Sequence, residues 1–310
     1  MSSARRPLPT DLVALITHDG RVYPNEAKTW DRMGADDSGP HPLGTALEQW
    51  FSFATGKHTW VSVRGATIRG LVSARRRAKR SAWEVDCLIN ADEDRSIAGA
   101  LLERMAADVG RQGAERVFLR VAADSGLVEI ARGAGFFAYA RETLYRADDP
   151  FPVDDPDLLL RPATKTDAFG IYQLYNAVTP ANVRAIEGQT LREWQAAREL
   201  WGGSPADQVL EEDGIITGWL RLLRANGGRF ALLVHPEHRD PEAFLRTALA
   251  RLKGSHPLLC LAPAHGYPSS GGLLRLGFAA AGEYTTMAKR LARRAEERAA
   301  DTMGSTVTVS

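Results

Sequence analysis

Two carboxylates interrupt an otherwise apolar strand. The segment AWEVDCLI, residues 82–89, reads as a strand and carries Glu84 and Asp86. Strand alternation puts Trp83, Val85, Cys87 and Ile89 on one face and Glu84, Asp86 and Leu88 on the other. Carboxylates are rarely buried without a partner, so a core strand with two of them is a candidate for proton transfer. The plain alternative is that both face solvent on an incompletely covered sheet.

Two helix starts could meet an anion. A helix N-terminus offers free amides and a positive dipole end, and small residues let a ligand come close to them. In DEDRSIAGALL, residues 92–102, Ser96, Ala98 and Gly99 are small and Arg95 is basic. Asp92, Glu93 and Asp94 would repel an anion, or Asp92 or Asp94 simply favours the helix start. In HRDPEAFLR, residues 238–246, Arg239 is basic, but Glu242 and Phe244 would repel and crowd a ligand. The basic run RRRAKR, residues 75–80, could meet phosphate, yet without interleaved aromatics it reads more simply as a solvated turn. His235 and His238 have no further ligands at metal spacing, so no metal is assigned.

The elements that position these residues recur. In the first half, strands 58–65, 66–74 and 82–89 precede a helix at 96–113, whose Ile97, Leu101, Met105 and Val109 form one stripe. A strand at 116–122, a helix at 127–134, Gly135-Phe136 and a strand at 140–147 follow. The second half repeats that order. It has a hairpin over 207–225 turned at Asp213-Gly214, a strand at 229–235 and a helix at 241–254 that opens on Pro241. A strand at 257–263, the phrase LLRLGF and a strand at 283–291 close it. Helices are expected ahead of each sheet, at 43–54 in the first half and at 163–178 and 190–200 in the second. Tyr172, Tyr175 and Trp194 there either line a groove or fill the core. The aspartate- and proline-rich stretch between the halves reads as a linker. The expected division is 1–149, a linker at 150–158, 159–298, and a polar tail at 299–310.

Bulk properties exclude little. Hydrophobic residues make up 44% and charged residues 25%, and the net charge of +1 disfavours nucleic acid as a partner. Cys87 and Cys260 lie in apolar runs of different halves, which fits free thiols and a cytoplasmic location. No apolar run reaches 18 residues, so no membrane span is expected. MSSARRPLPT has no apolar stretch behind its basic start and does not read as a secretory leader.

The chain resembles the GNAT (Gcn5-related N-acetyltransferase) superfamily in a tandem two-domain form. LLLRPATKTDAFGIYQLY, residues 158–175, looks like that family's opening strand and first helix. VHPEHR, residues 234–239, looks like the end of its central strand and the start of its cofactor loop. Gly135-Phe136 and Gly277-Phe278 match the Gly-Phe before its final strand. The resemblance implies a mixed α/β fold: two acyl-CoA N-acyltransferase-like domains, each a twisted mixed sheet flanked by helices. It implies acetyl-CoA, or another acyl-CoA, held in a split between two parallel strands, with the diphosphate on a helix start after a Q/R-x-x-G-x-G/A loop. In the first half that role falls to Leu88, Ile89, Arg95, Ser96, Ile97, Ala98 and Gly99. In the second it falls, more weakly, to Val234, His235 and Arg239.

The resemblance also implies that Glu84 or Asp86 acts as the base that deprotonates an amine. The family's acidic tyrosine is replaced by Ala131 and Leu273, and its assisting Asn by Asp124 and Gly266. The implied activity is N-acyl transfer to a small primary amine or amino-acid-derived acceptor, with the first half holding the cofactor and a homodimer left open. The alternative, supported by two altered loops and two missing tyrosines, is a non-catalytic, ligand-binding or structural pair of domains. A different activated acyl donor in the same cleft is the third reading.

Overall fold

Ile97, Leu101, Met105 and Val109 do fall on one helix stripe, and all four are buried. The computed structural model describes residues 3–6, 24–33, 58–64, 67–90, 95–150, 152–156, 158–224, 227–268 and 270–292. The helix expected at 43–54, the acidic residues Asp92, Glu93 and Asp94, and the tail at 299–310 lie outside them.

The first half runs β1 (Ser3–Arg5), β2 (His58–Arg64), β3 (Thr67–Arg76), β4 (Ala82–Asn90), α1 (Arg95–Arg111), β5 (Arg116–Ala122), α2 (Leu127–Gly133) and β6 (Phe137–Ala147). The second opens with β7 (Arg161–Pro162), α3 (Ala168–Val178), α4 (Ala181–Glu187) and α5 (Leu191–Ala197). It continues through β8 (Ala206–Glu212), β9 (Ile215–Arg224), β10 (Gly228–Val234), α6 (Pro241–Arg251), β11 (Leu258–Pro263), α7 (Ser270–Arg275) and β12 (Ala279–Arg290). The hairpin turn at Asp213-Gly214 is in place, with both residues at positive φ. Helix α4 has no counterpart in the sequence reading.

The strands form one 12-stranded sheet rather than two, in the order β1-β2-β3-β4-β5-β12-β6-β11-β10-β9-β8-β7. The halves exchange their last strands. Strand β12 pairs antiparallel with β5 from Tyr284↔Ala122 to Arg290↔Arg116, and β6 pairs antiparallel with β11 from Leu258↔Ala147 to Pro263↔Glu142. Each last strand thereby covers an edge that the other half's parallel pair would leave open. Periodicity shows that a strand forms, not which strand receives it, so the exchange is invisible in the sequence.

Packing reinforces the exchange. Helix α1 covers one sheet face of the first half, where Trp60, Trp83, Val85, Leu88 and Met105 share a core. In the second half, Phe244 and Leu245 of α6 do the same against Leu220, Phe230 and Cys260. Across the boundary, Ile186, Ala196 and Ala197 of the second half sit on Ala82 and Phe118 of the first. In return, Trp30 and Met33 pack on Leu144 and Leu259.

Strand β4 departs from simple alternation. Its register with β3 jumps between Ser73↔Cys87 and Ala74↔Val85, which leaves Asp86 without an opposite residue. This is a β-bulge. It moves Leu88 onto the face of Trp83 and Val85, while Cys87 packs with Val61 and Leu71 on the other. The expected grouping of Leu88 with Glu84 and Asp86 is corrected on that ground.

Candidate functional site

Each half contains a parallel pair that separates partway along. Strands β4 and β5 are paired only from Ala82↔Arg116 to Glu84↔Phe118. Strands β10 and β11 are paired only from Gly228↔Leu258 to Phe230↔Cys260. Beyond these points two splits open.

The first split is threaded by the chain itself. The side-chain amide of Asn25 donates to the Asp86 carbonyl at 3.0 Å, and its oxygen accepts from the Leu88 amide at 2.9 Å. The Glu26 amide donates to the Leu88 carbonyl at 2.9 Å, and the Lys28 amide donates to the Arg120 carbonyl at 2.8 Å. Segment 25–28 therefore joins β4 to β5, with Ala27 buried in the core beneath α1. Both backbone groups of Leu88, which the resemblance offers to a cofactor, are taken by the protein's own residues. The side chain of Ile89 packs beside Val61 and Leu71. Arg95 opens α1, and its side chain lies outside the described residues. Ser96 is exposed, whereas Ile97 and Ala98 point into the core and Gly99 lies beside Ile130.

Glu84 and Asp86 do not face solvent; they are 2% and 0% exposed. Glu84 accepts from Arg75 Nε at 2.6 Å and from Arg77 Nε at 2.9 Å. Burial, with Glu199 nearby, raises its carboxyl above the usual range against the pull of both guanidinium groups. Arg75 also forks onto Asp31, at 2.7 Å to each oxygen. Burial opposes ionisation of Asp31, but that fork outweighs it and holds the carboxyl at about 2. Asp86 accepts from Ser73 Oγ at 2.6 Å and lies 3.4 Å from Arg32. The basic run at 75–80 is thus not a solvated turn throughout: Arg75 and Arg77 turn inward to these carboxylates.

The second split is different. Among the described residues no backbone hydrogen bond joins β10 to β11 beyond Phe230↔Cys260, and no other segment is bonded through its backbone to both. A cavity of about 160 Å³ lies at its mouth, lined by Leu233 of β10, Pro263 of β11, Ala140 and Glu142 of β6, and by Tyr175, Glu187, His265 and Tyr267. A second cavity of about 140 Å³ adjoins it through Glu142 and Glu187 and is walled by Tyr139, Trp194, Arg77, Arg120, Arg198 and Glu199. Burial lowers the His265 imidazole, with Glu142 opposing. The Tyr267 hydroxyl is buried and has no hydrogen-bond partner among the described residues.

Glu187 stands at the junction of the two cavities. Its Oε2 accepts from Tyr175 at 2.8 Å and its Oε1 from Tyr139 at 3.3 Å. Burial pushes its carboxyl up. Its place is set by a short helix. Pro180 precedes α4 and Gly188 ends it at φ +156°, where a Cβ would strike the Trp194 backbone. Arg116, from β5 of the first half, donates to the carbonyls of Ile186 at 2.9 Å and Glu187 at 2.8 Å. Nearby, Arg120 binds Glu142 at 2.7 Å and Glu199 at 2.8 Å. Burial resists ionisation of Glu199, yet Arg120 outweighs it and holds that carboxyl at about 2.

Alternation along the closing strand aligns Tyr139 with its neighbours, but the strand expected at 140–147 leaves it out; the strand begins at Phe137. Pro180 and Gly188 bracket a helix of the expected asymmetry, which was the available signal for Glu187. Tyr175 and Trp194 serve both expected purposes, packing against each other at 5.6 Å and lining the cavities.

The start of α6 is occupied by protein. Asp240 Oδ1 accepts from the Ala243 amide at 3.1 Å, and Pro241 has no amide to offer. Phe244 does not crowd this helix start as the sequence suggested: it is fully buried against Gly218. Glu242 pairs with Arg275. Val234 is buried, the His235 amide donates to the Thr217 carbonyl at 2.8 Å, and Arg239 is exposed. Ala131 and Leu273, at the positions of the missing tyrosines, are core residues. Among the described residues no three His, Cys, Asp or Glu side chains are grouped to hold a metal, and no helix is long and apolar enough to cross a membrane.

Solved structures share this architecture. A GCN5-related N-acetyltransferase from Sphaerobacter thermophilus matches at 15% identity and a TM-score of 0.56, with 93% of this chain and 95% of that one covered. A tandem GNAT protein from the clavulanic acid biosynthesis pathway matches at 15% identity and a TM-score of 0.51, with 94% and 98% covered. No family model and no curated protein matches the sequence. The fold is that of a tandem GNAT protein.

Proposed function

We propose that the protein is an acyltransferase that moves an acyl group from an acyl-CoA to an amine, and that its reaction centre lies in the second split. The observation that carries this is the contrast between the splits. One is threaded by residues 25–28, and the other opens onto a cavity lined by Leu233, Pro263 and Glu187. The expectation that the first half holds the cofactor is replaced on that ground.

The residues fit one part of an acyl-CoA and not another. The unpaired edge of β10 over 231–234 and the unpartnered Tyr267 hydroxyl suit the amides of its thioester arm. The amides that begin α6 do not suit its diphosphate, because the Asp240 carboxylate caps them. Basic contact there would fall to Arg239, which is exposed. When bound, the donor supplies an activated acyl carbon; the chain's part is to place an amine beside it and exclude water.

The Asp240 cap also supports a second reading, a domain pair that binds a ligand without turnover. Calorimetric titration with acetyl-CoA tests the first. Wild type should bind saturably. Leu233→Trp, which fills the cavity mouth, should weaken binding by at least about tenfold, and Ser96→Glu should leave it within about twofold. No saturable binding by wild type would contradict the proposal and leave the second reading standing.

A further inference from the structure

Most charged groups around the two cavities are ion-paired. Arg120 is ion-paired with Glu142 and Glu199, and Arg75 and Arg77 with Glu84. Two groups differ. Among the described residues Glu187 makes no ion pair and is held by two phenol hydroxyls, which leaves lone pairs on both oxygens. Arg198 has Asp207 as its carboxylate at 3.5 Å, but Arg221 holds that same Asp207 at 2.6 Å. One carboxylate thus serves two guanidinium groups, and Arg198 otherwise stacks over Trp194 at 5.3 Å. Among the described residues the second cavity therefore presents one carboxylate without an ion pair, Glu187, and one guanidinium that shares its only carboxylate, Arg198, on its walls. A buried charge without a partner is costly, and a ligand with the opposite pair relieves both costs at once.

We infer that the acceptor is a small zwitterionic amine, whose ammonium binds Glu187 and whose anionic group lies toward Arg198, and that Glu187 is the base that takes the ammonium proton. This rests on the reading of the second split as the reaction centre. The geometry gives Glu187 that task because it lines both cavities: the amine nitrogen meets the first, where Leu233 and Pro263 flank the split, while the rest of the molecule occupies the second. In the proton transfer one N–H bond breaks, the proton passes to a Glu187 oxygen, and the electron pair stays on nitrogen as a neutral amine. Tyr139 comes from the strand that the first half inserts beside β11, and Arg116, which secures α4, comes from β5. The first half is then a builder of the acceptor site rather than a second cofactor domain.

The test uses the full chain and three probes: 4-aminobutyrate, n-propylamine, which lacks the carboxylate, and butyrate, which lacks the ammonium. Calorimetry should show wild type binding 4-aminobutyrate at least about tenfold more tightly than either control. Glu187→Gln should lose that binding by at least about tenfold while acetyl-CoA affinity stays within about twofold, and Glu187→Asp should restore part of it. Arg198→Gln should erase the preference over n-propylamine while retaining the amine. Retention of 4-aminobutyrate by Glu187→Gln, or no preference for it in wild type, overturns the inference. Zwitterion binding with no acetyl-CoA binding would sink the acyltransferase reading and leave the site standing.

Discussion

Glu84→Ala is expected to lower the unfolding free energy by about 3–5 kcal/mol, the usual cost of removing one partner from a buried ion pair. The carboxylate is 2% exposed and takes one charge-assisted bond from each of Arg75 and Arg77. Its loss strands Arg77, which also donates to the Ala197 carbonyl at 2.9 Å and so ties the hairpin of the first half to the helices of the second. Arg75 keeps its fork onto Asp31, so the damage centres on Arg77. Urea unfolding followed by far-UV circular dichroism measures this. A catalytic base at this position would give the opposite pattern, with stability held and turnover lost.

The second large effect is expected at Asn25→Ala. One side chain satisfies the Leu88 amide and the Asp86 carbonyl inside the sheet, and also fixes the local turn by accepting from the Ala27 amide at 3.0 Å. The Asp86 carbonyl keeps a bond from Arg32 Nη1 at 2.9 Å, but the Leu88 and Ala27 amides lose their acceptor. At about 1–3 kcal/mol for each such group, the loss expected in the same unfolding experiment is about 2–6 kcal/mol. Asn25→Asp keeps the acceptor and loses the donor, and should fall between wild type and Ala. A loss of under about 0.5 kcal/mol in the alanine variant, the range of ordinary surface changes, would mean that segment 25–28 does not hold the split closed.

Much of the fold was legible because it depends on local pattern. The stripe of α1, the Asp213-Gly214 turn and the Gly-Phe before each last strand all rest on spacing or on residues with a fixed conformational use. The exchanged strands were not legible, since β6 and β12 have the same local character whichever edge they join. The bulge at Asp86 is hidden for a related reason: simple alternation runs straight through it and puts Leu88 on the wrong face.

The site was harder still. Glu84 and Asp86 are visible as unusual residues, but their partners Arg75, Asp31, Ser73 and Arg32 lie elsewhere in the chain and carry no local signal of the pairing. Glu187 carries no motif. It becomes a candidate only when α4 of one half meets Tyr139 of the other, a long-range juxtaposition that no window of sequence contains. Segment 25–28 was likewise unreadable, because a plug is defined by the gap it fills.

Hydrogen exchange with and without acetyl-CoA tests the central claim most directly, since one experiment reads both splits. The amides of residues 231–234 on β10 should gain protection on ligand addition, while those of residues 25–28 and 86–90 stay unchanged. Protection of residues 88–99 instead, with β10 unaffected, would contradict the account and return the cofactor to the first half.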